Sequence, residues 1–503
     1  MLKKIKHMSL VVLFVLSIAT PFLWNHVAAP YLDRENHEKR TLAQWPAFSF
    51  SSLSQYPGLV QAYFDDHLPF KNELVRFYNR LEIGLFHTST SKRVAIGKDG
   101  WLFFKDVTDG DPISNYRGKH LLSEYELERI AQNMQTTKNN LEAEGREFII
   151  FIPPNKERVY SEYMPDYYGE PAEMYPVRQI VEYLRAHTDV KVVYPYLALM
   201  DAKAALGSDI NLYYKTDTHW NELGAYIGTR ELLRALGIEL AALDAPGITI
   251  EKSKVAAGDL ADMLNLGAFL DHDYQYSVSG VDLHDVKERS AVGYSFTSVG
   301  ADKRTLVMVR DSYIHAMRYY IGSQFSISDL IQWDDFDYET VRERNADIVV
   351  LETVERFAPP RLKNFQYTRG VYPFDPDRYE MLTEAPAYQW VIDRIHVEEA
   401  GSELPKAYTE ISGWFLKRGE DAFGVELQIV IKKDADYFAV PTTLALRPDV
   451  TQYFYERHSD KHNYDSSGFT ARFLTQELEL EEADEIYAAY SVNGEKAVMV
   501  RLN

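Results

Sequence analysis

The sequence predicts an α/β domain, built on a mainly parallel sheet with flanking helices, followed by an antiparallel β-sandwich. Three observations predict it. Continuous apolar runs such as "EFIIFIPP" and "ADIVVLET" suit strands buried on both faces. These runs alternate with amphipathic helical segments, the mark of a parallel sheet. Beyond about residue 385 the pattern changes to short alternating segments split by turns, as in a sandwich.

Taken in order, "MLKKIKHMSLVVLFVLSIATPFLW" opens with Lys3, Lys4 and Lys6 and continues as an apolar run from Met8 to Trp24. At about 1.5 Å per residue that run is adequate for a bilayer core. The nearby "VAAP" puts Pro30 directly after Ala29, a poor cleavage position. Residues 1–30 therefore read as an uncleaved single-pass anchor helix, basic end inside and the rest of the chain extracellular, with a cleaved signal peptide and a secreted chain as the alternative. Residues 54–86 carry apolar residues at helical spacing, interrupted at Pro69. "RVAIGKDGWLFF" predicts a β-hairpin around an Asp-Gly turn. A helix over 123–144 should stop at Gly145.

"EFIIFIPP" then starts the sheet, with helices expected over 175–187 and 197–206 and a strand "VKVVYP" between them. "INLYYK" reads as a further strand and "NELGAYIGTRELLRALG" as a helix. "TLVMVRDS", "FSISDLIQW" and "ADIVVLET" complete the α/β unit, whose expected span is 31–383. The sandwich takes 384–503, with strands in "YQWVIDRIHV", "AYTEISGWFL", "VELQIVIK", "PTTLALR", "GFTARFL", "EIYAAYSV" and "KAVMVRL".

Composition excludes several classes of function. The chain has 503 residues and a net charge of −21, and so acidic a surface repels phosphate backbones, so no nucleic-acid partner is expected. A strongly anionic polymer would need a local basic groove; neutral or amino sugars fit the charge more easily. With no cysteine there is no disulfide, Fe–S cluster or thiol nucleophile. The 35 Tyr and 7 Trp are polar-tipped aromatics of the kind that suit carbohydrate or interface surfaces.

In an open parallel sheet, functional groups gather beyond the carboxyl ends of the strands. The predicted strands deliver to that edge, in chain order, Asn155 and Lys156, then Asp217 and His219, then Asp311 and Ser312, then Glu355 and Arg356. Ser312, at a strand-to-helix turn, would have its hydroxyl where unpaired N–H groups favour an oxyanion. A serine hydroxyl needs a base. His219 could take its proton, with Asp217 holding the other ring nitrogen. Each residue also has a plain reading: Asp-Ser is a common N-cap, Asp217 could cap the next helix, and His219 could be structural. Asn155 either donates to the oxyanion or pins its loop, and Glu355 with Arg356 reads as a structural ion pair. No HExxH or histidine cluster completes a metal site, and no cofactor is expected.

With these residues in hand, the chain resembles the SGNH-hydrolase-like O-acetyltransferases of bacterial exopolysaccharide assembly, the AlgX/AlgJ-like group. The resemblance runs from about residue 35 to 380 through "ENHEKRTLAQWP", "FDDHLPFKNELVRFYN", "IGKDGWLFF", "PPNKERVY", "DTHWNELGAY", "GDLADML", "VRDSY" and "VVLETVERF". It implies Asp217, His219 and Ser312 as catalytic triad; Asn155, Lys156, Arg310, Tyr313 and Arg356, near the same sheet edge, are weaker oxyanion or substrate-binding candidates. The glycine that usually precedes Asp-Ser in this family is Arg310 here. The implied activity is acetyl transfer to hydroxyls of an exopolysaccharide, with the donor delivered by a multi-pass membrane acyltransferase. An acetyl esterase on the same residues, or a glycan-binding scaffold, are the alternatives. The last 120 or so residues are similar to sandwich modules appended to glycan-processing enzymes, which implies carbohydrate binding through Tyr453, Phe454 and Tyr455.

Overall fold

A computed structural model describes residues 41–48, 54–68, 70–86, 91–267, 272–290, 294–299, 302–336, 338–400, 406–422, 424–492 and 497–503, with 8, 11–16 and 32 before them. Among these residues no helix is long and apolar enough to cross a membrane. The expected anchor over 1–30 lies largely outside the described residues, as does the interruption at Pro69. On either side of it run the helices Tyr56–His67 and Lys71–Phe86.

Strands β1 (Val94–Ile96) and β2 (Leu102–Phe104) form the hairpin, turned by Asp99 at φ 52° and Gly100 at φ 79°. Positive φ at both central residues matches the twist of the paired strands, which is why Asp-Gly sits there. The helix Glu124–Ala143 begins with a capping box, in which the Ser123 and Glu126 side chains each bond the other's backbone N–H. It closes ahead of Gly145 at φ 76°.

The central sheet contains β3 (Glu147–Phe151), β4 (Lys191–Val193), β7 (Val286–Glu288), β8 (Ser295–Ser298), β9 (Asp302–Arg310), β10 (Phe325–Gln332) and β11 (Ile348–Glu352). A separate hairpin pairs β5 (Thr249–Val255) with β6 (Asp273–Ser279). The sheet order is β4-β3-β11-β9-β10-β8-β7. The five strands β4, β3, β11, β9 and β10 run parallel, and β8 and β7 add antiparallel at one edge.

The apolar runs serve both faces. Ile149, Phe151, Leu306, Met308, Ile348 and Val350 join the core under the helix Glu222–Ala235. Their alternates Phe148, Ile150, Val307, Val309, Val349 and Leu351 pack on the opposite side, against the helices Glu124–Ala143, Pro176–His187 and Ala358–Asn364. A period of two thus divides one apolar run between two helical layers.

One expected strand does not form. Instead of a strand at "INLYYK", residues 209–221 make a loop, closed by an isolated bridge between Tyr213 and Trp220. Leu212 and Tyr213 are fully buried there as plugs beneath the loop, and the Tyr213 hydroxyl donates to the Pro154 carbonyl at 2.7 Å. Apolar content alone does not separate such a plug from a strand.

The sandwich comprises β12 (Tyr372–Pro373), β13 (Glu380–Leu382), β14 (Tyr388–Glu398), β15 (Tyr408–Lys417), β16 (Val425–Lys433), β17 (Asp436–Ala439), β18 (Thr442–Ala445), β19 (Gly468–Leu474), β20 (Glu485–Val492) and β21 (Val498–Arg501). They form a sheet of order β12-β17-β16-β20-β21-β13 and a second of order β14-β15-β19-β18. The sheets share a core of Ile411, Phe415, Ile429, Phe469 and Ala488. Two short strands, β12 and β13, come from before residue 384. Tyr453, Phe454 and Tyr455, read at strand period, lie instead on a helix, Pro448–His458. Phe454 is buried in the core while Tyr453 and Tyr455 are exposed. Pro448 in the first turn favours helix there.

Candidate active site

Strand β9 ends at Arg310, and the chain turns through Asp311 into the single turn Ser312–Ala316. Asp311 is the cap: its Oδ1 accepts the Tyr313 N–H at 3.0 Å. Its Oδ2 accepts the Val354 N–H at 2.8 Å and Arg361 Nη1 at 3.0 Å, which ties the turn to the end of β11. The capping role belongs to Asp311 and leaves Ser312 free to face outward.

There Ser312 Oγ lies 2.8 Å from His219 Nε2, and His219 Nδ1 lies 2.7 Å from Asp217 Oδ1. The two-residue spacing works because Asp217 Oδ1 also accepts the His219 backbone N–H at 2.9 Å, closing a tight local turn. Asp217 does not cap the following helix; Asn221 does, accepting the Gly224 N–H at 3.1 Å. Three residues from two distant segments thus form one hydrogen-bonded chain.

The electrostatics arise from this geometry. Burial opposes ionisation of Asp217, but hydrogen bonds and charge from His219, with backbone N–H groups of Asp259 and His219, hold its carboxyl well below the usual range. Burial likewise opposes charging of His219. The Asp217 hydrogen bond and the charges of Asp217 and Asp259 outweigh it and raise the imidazole above its ordinary value, while Arg356 pulls the other way.

Sequence reasoning gave Asp259 no role. Its Oδ1 accepts the Thr218 N–H at 2.8 Å, its Oδ2 accepts Thr218 Oγ1 at 2.7 Å, and its own N–H donates to Asp217 Oδ2 at 3.0 Å. Asp217, His219 and Asp259 lie close enough to hold a metal ion, but their carboxylate oxygens are already spent on these hydrogen bonds. The signal was present in "GDLADML", though nothing in that stretch says that it docks on the Asp-x-His loop.

The weaker candidates divide. Lys156 is fully buried, and its Nζ donates to the carbonyls of Tyr214, Lys215 and Asp217 at 3.2, 3.2 and 2.5 Å. It therefore clamps the loop and does not face a substrate. Burial pulls its pKa down to about 8, against the opposing charges of Glu157 and Asp217. Tyr313 is also a brace: its hydroxyl donates to the Thr218 carbonyl at 2.8 Å, and its own carbonyl accepts Trp220 Nε1 at 3.0 Å.

Glu355 does not pair with Arg356. It accepts Arg158 Nε at 3.0 Å, the Asn155 N–H at 2.9 Å and the Tyr194 hydroxyl at 3.1 Å. Arg356 is half-buried, its guanidinium near the rings of Phe357, Phe104 and Tyr313. Arg310 stacks on Tyr294, its guanidinium carbon 3.9 Å from the ring centre. The Asn155 side chain is buried, and among the described residues neither of its polar atoms finds a hydrogen-bond partner.

Beneath the serine turn lies a residue the sequence did not single out. Glu352, at the end of β11, is fully buried and accepts the Asp311 N–H at 2.6 Å. Burial and the neighbouring Asp311 charge raise its pKa well above the usual carboxylate value.

Residues 94–298, which hold Asp217 and His219, match the family described as "SGNH hydrolase-like domain, acetyltransferase AlgX". The chain is similar to the probable alginate O-acetylase AlgJ of Pseudomonas syringae pv. tomato, 24% identical over 205 residues, covering 39% of this chain and 49% of that protein. It is 27% identical over 255 residues to the probable alginate O-acetylase AlgJ of Pseudomonas aeruginosa, covering 46% and 58%. The chain thus spans about half the length of the curated relatives it matches. Among solved structures, the O-acetyltransferase domain of Pseudomonas putida AlgJ covers 54% of this chain and 99% of its own at 20% identity, with a TM-score of 0.35. Bacillus cereus PatB1 covers 52% and 95% at 13% identity, with a TM-score of 0.36.

Proposed function

We propose that this chain is an O-acetyltransferase that moves acetyl groups onto hydroxyls of an exopolysaccharide through an acyl-serine. The observation that carries the reading is the unbroken chain from Ser312 Oγ to His219 Nε2 and from His219 Nδ1 to Asp217 Oδ1, at 2.8 and 2.7 Å. The name of the curated relatives, alginate O-acetylase, supports acetyl transfer and a polysaccharide acceptor.

His219 Nε2 takes the Ser312 proton as Oγ attacks the acetyl carbonyl. Asp217 stabilises the imidazolium that forms and keeps the ring oriented. The imidazolium returns the proton to the departing donor group, leaving acetyl-Ser312. An acceptor hydroxyl then gives its proton to the same Nε2 and attacks the acyl carbon, and Ser312 leaves with that proton. Asn155, with an unpartnered buried amide, is the side chain we assign to the oxyanion.

The donor is delivered by a multi-pass membrane acyltransferase, and the chain acts outside the cell on a single-pass anchor. The basic flank and the apolar run Met8–Trp24 support that placement.

The test is a chromogenic acetyl ester, offered with and without sugar oligomers, to wild type and Ser312→Ala. Acetylated oligomers formed only by wild type support the transferase. Ester cleavage that oligomers never divert identifies an esterase, and absence of any Ser312-dependent turnover identifies a scaffold.

A further inference from the structure

One helix of the chain is inside out. In Lys71–Phe86, Leu74, Phe77, Tyr78 and Leu81 stand at i, i+3, i+4 and i+7 and so share one face. That face is turned to solvent, the four residues being 51, 62, 50 and 43% exposed. The polar face is turned inward. Arg76 donates from Nη2 to Asn265 Oδ1 at 3.0 Å and from Nε to the Asn265 carbonyl at 3.3 Å, and Asn265 Nδ2 donates to the Asn72 carbonyl at 2.8 Å. A surface helix ordinarily buries its apolar stripe and shows its charges to water.

The preceding helix, Tyr56–His67, has no buried residue, and its Leu59 and Phe64 are exposed as well. Trp45, itself exposed, meets Phe64 edge-on at 6.1 Å. A single exposed apolar side chain needs no explanation. An ordered stripe of leucines and aromatics marks a contact surface.

Its place in the chain says what that surface meets. The apolar run Met8–Trp24 lies just upstream. Set across a bilayer, that run delivers these two helices to the membrane surface before the catalytic domain begins. Leucine, phenylalanine, tyrosine and tryptophan are the side chains that settle at the boundary between acyl chains and headgroups. Lys71, Arg76 and Arg80 stand against Glu73 and Glu82 in the helix. That is a basic excess within a chain of net charge −21, and it suits anionic headgroups.

We propose that the stripe Leu74, Phe77, Tyr78 and Leu81 lies in the surface of the lipid bilayer, with the helix Lys71–Phe86 as the seat of the catalytic domain. The inference rests on the membrane-anchored reading and adds a second contact to it, one that limits how the domain turns on its tether. The seat is joined to the site. Asn265 follows soon after the short helix Asp259–Met263, and the Asp259 N–H donates to Asp217 Oδ2 at 3.0 Å. Ser312 is thereby held at a set height above the membrane that supplies its acetyl donor.

The chain has no cysteine, so one introduced cysteine can carry a spin label. Full-length Phe77→Cys, Leu81→Cys and Leu197→Cys are labelled and reconstituted into vesicles of phosphatidylethanolamine and phosphatidylglycerol. Leu197 is the control, 72% exposed on the helix Tyr196–Leu206. Electron paramagnetic resonance then reads collisions with oxygen, which concentrates in lipid, and with a nickel chelate, which stays in water. Oxygen should dominate at 77 and 81, and the chelate at 197. Phe77→Asp combined with Leu81→Asp should move a label at Leu74→Cys into water while circular dichroism stays that of wild type.

Flotation of the vesicles reads the anchor separately. A chain that floats with its labels at 77 and 81 in water overturns the seat and leaves the anchor standing. Labels shielded from both reagents reveal a protein partner or a second copy on the stripe and also overturn it. A chain that does not float removes both readings.

Discussion

Gly258 packs so closely on Asp217 that a β-carbon at position 258 would stand 2.3 Å from the Asp217 Cβ. No side chain fits there, so the glycine sets how near the Gly258–Asp259 segment approaches the Asp-x-His loop. Gly258→Ala must push Asp217 away from His219. We expect acetyl-ester turnover to fall by about 10²-fold, as a 1 Å misplacement in a catalytic site can cost. Circular dichroism should remain that of wild type.

The raised pKa of His219 predicts a pH profile. The base must be neutral to accept the Ser312 proton, so turnover should rise through a pKa above the ordinary imidazole value of 6.5. Asp217→Asn removes the partner that raises it, so the rising limb should move to lower pH while the plateau falls by about 10⁴-fold. The same shift bears on stability. A group whose folded pKa is raised contributes stability that is complete below its unfolded pKa and is lost as pH rises through the folded one. Thermal denaturation from pH 5 to 9 should show that contribution, and Asp217→Asn should lack it.

Lys156 holds three carbonyls of the loop that carries Asp217. Lys156→Met keeps much of the volume and leaves those acceptors without a donor. Leaving buried acceptors unpaired should cost about 2–4 kcal/mol, read from urea unfolding, with activity falling as the loop loosens.

Glu352 behaves in the opposite sense to an ordinary surface acid. Its raised pKa means that the folded state keeps a proton which the unfolded chain releases near the usual carboxylate value, so its contribution to stability declines as pH rises through the folded pKa. Glu352→Gln is neutral at every pH and can still accept the Asp311 N–H. Its melting temperature should match wild type at low pH and exceed it at alkaline pH.

What the sequence made legible was the chemistry at chain positions that local pattern controls. Ser312 sits at the end of an apolar strand, and Asp217 and His219 lie within one turn of each other, so spacing made them candidates and the family resemblance suggested the triad we propose. The contribution of neighbours was hidden, because it depends on where the loop over 209–221 returns. Lys156 and Tyr313 resemble substrate-facing residues in one dimension, yet both turn inward to hold that loop. "INLYYK" is apolar enough for a strand, but its Leu212 and Tyr213 plug the core beneath the loop. In the sandwich, the aromatics at 453–455 fit either period, and Pro448 in the first helical turn was the available signal for helix.

The most direct test is the covalent state of Ser312. Intact-mass and peptide mapping after rapid quench with an acetyl donor should find one acetyl group on Ser312 in wild type. Its decay should quicken when sugar oligomers are added, and it should be absent in Ser312→Ala, which forms no acetylated product. Acetylated oligomer made at an undiminished rate by Ser312→Ala would contradict the account.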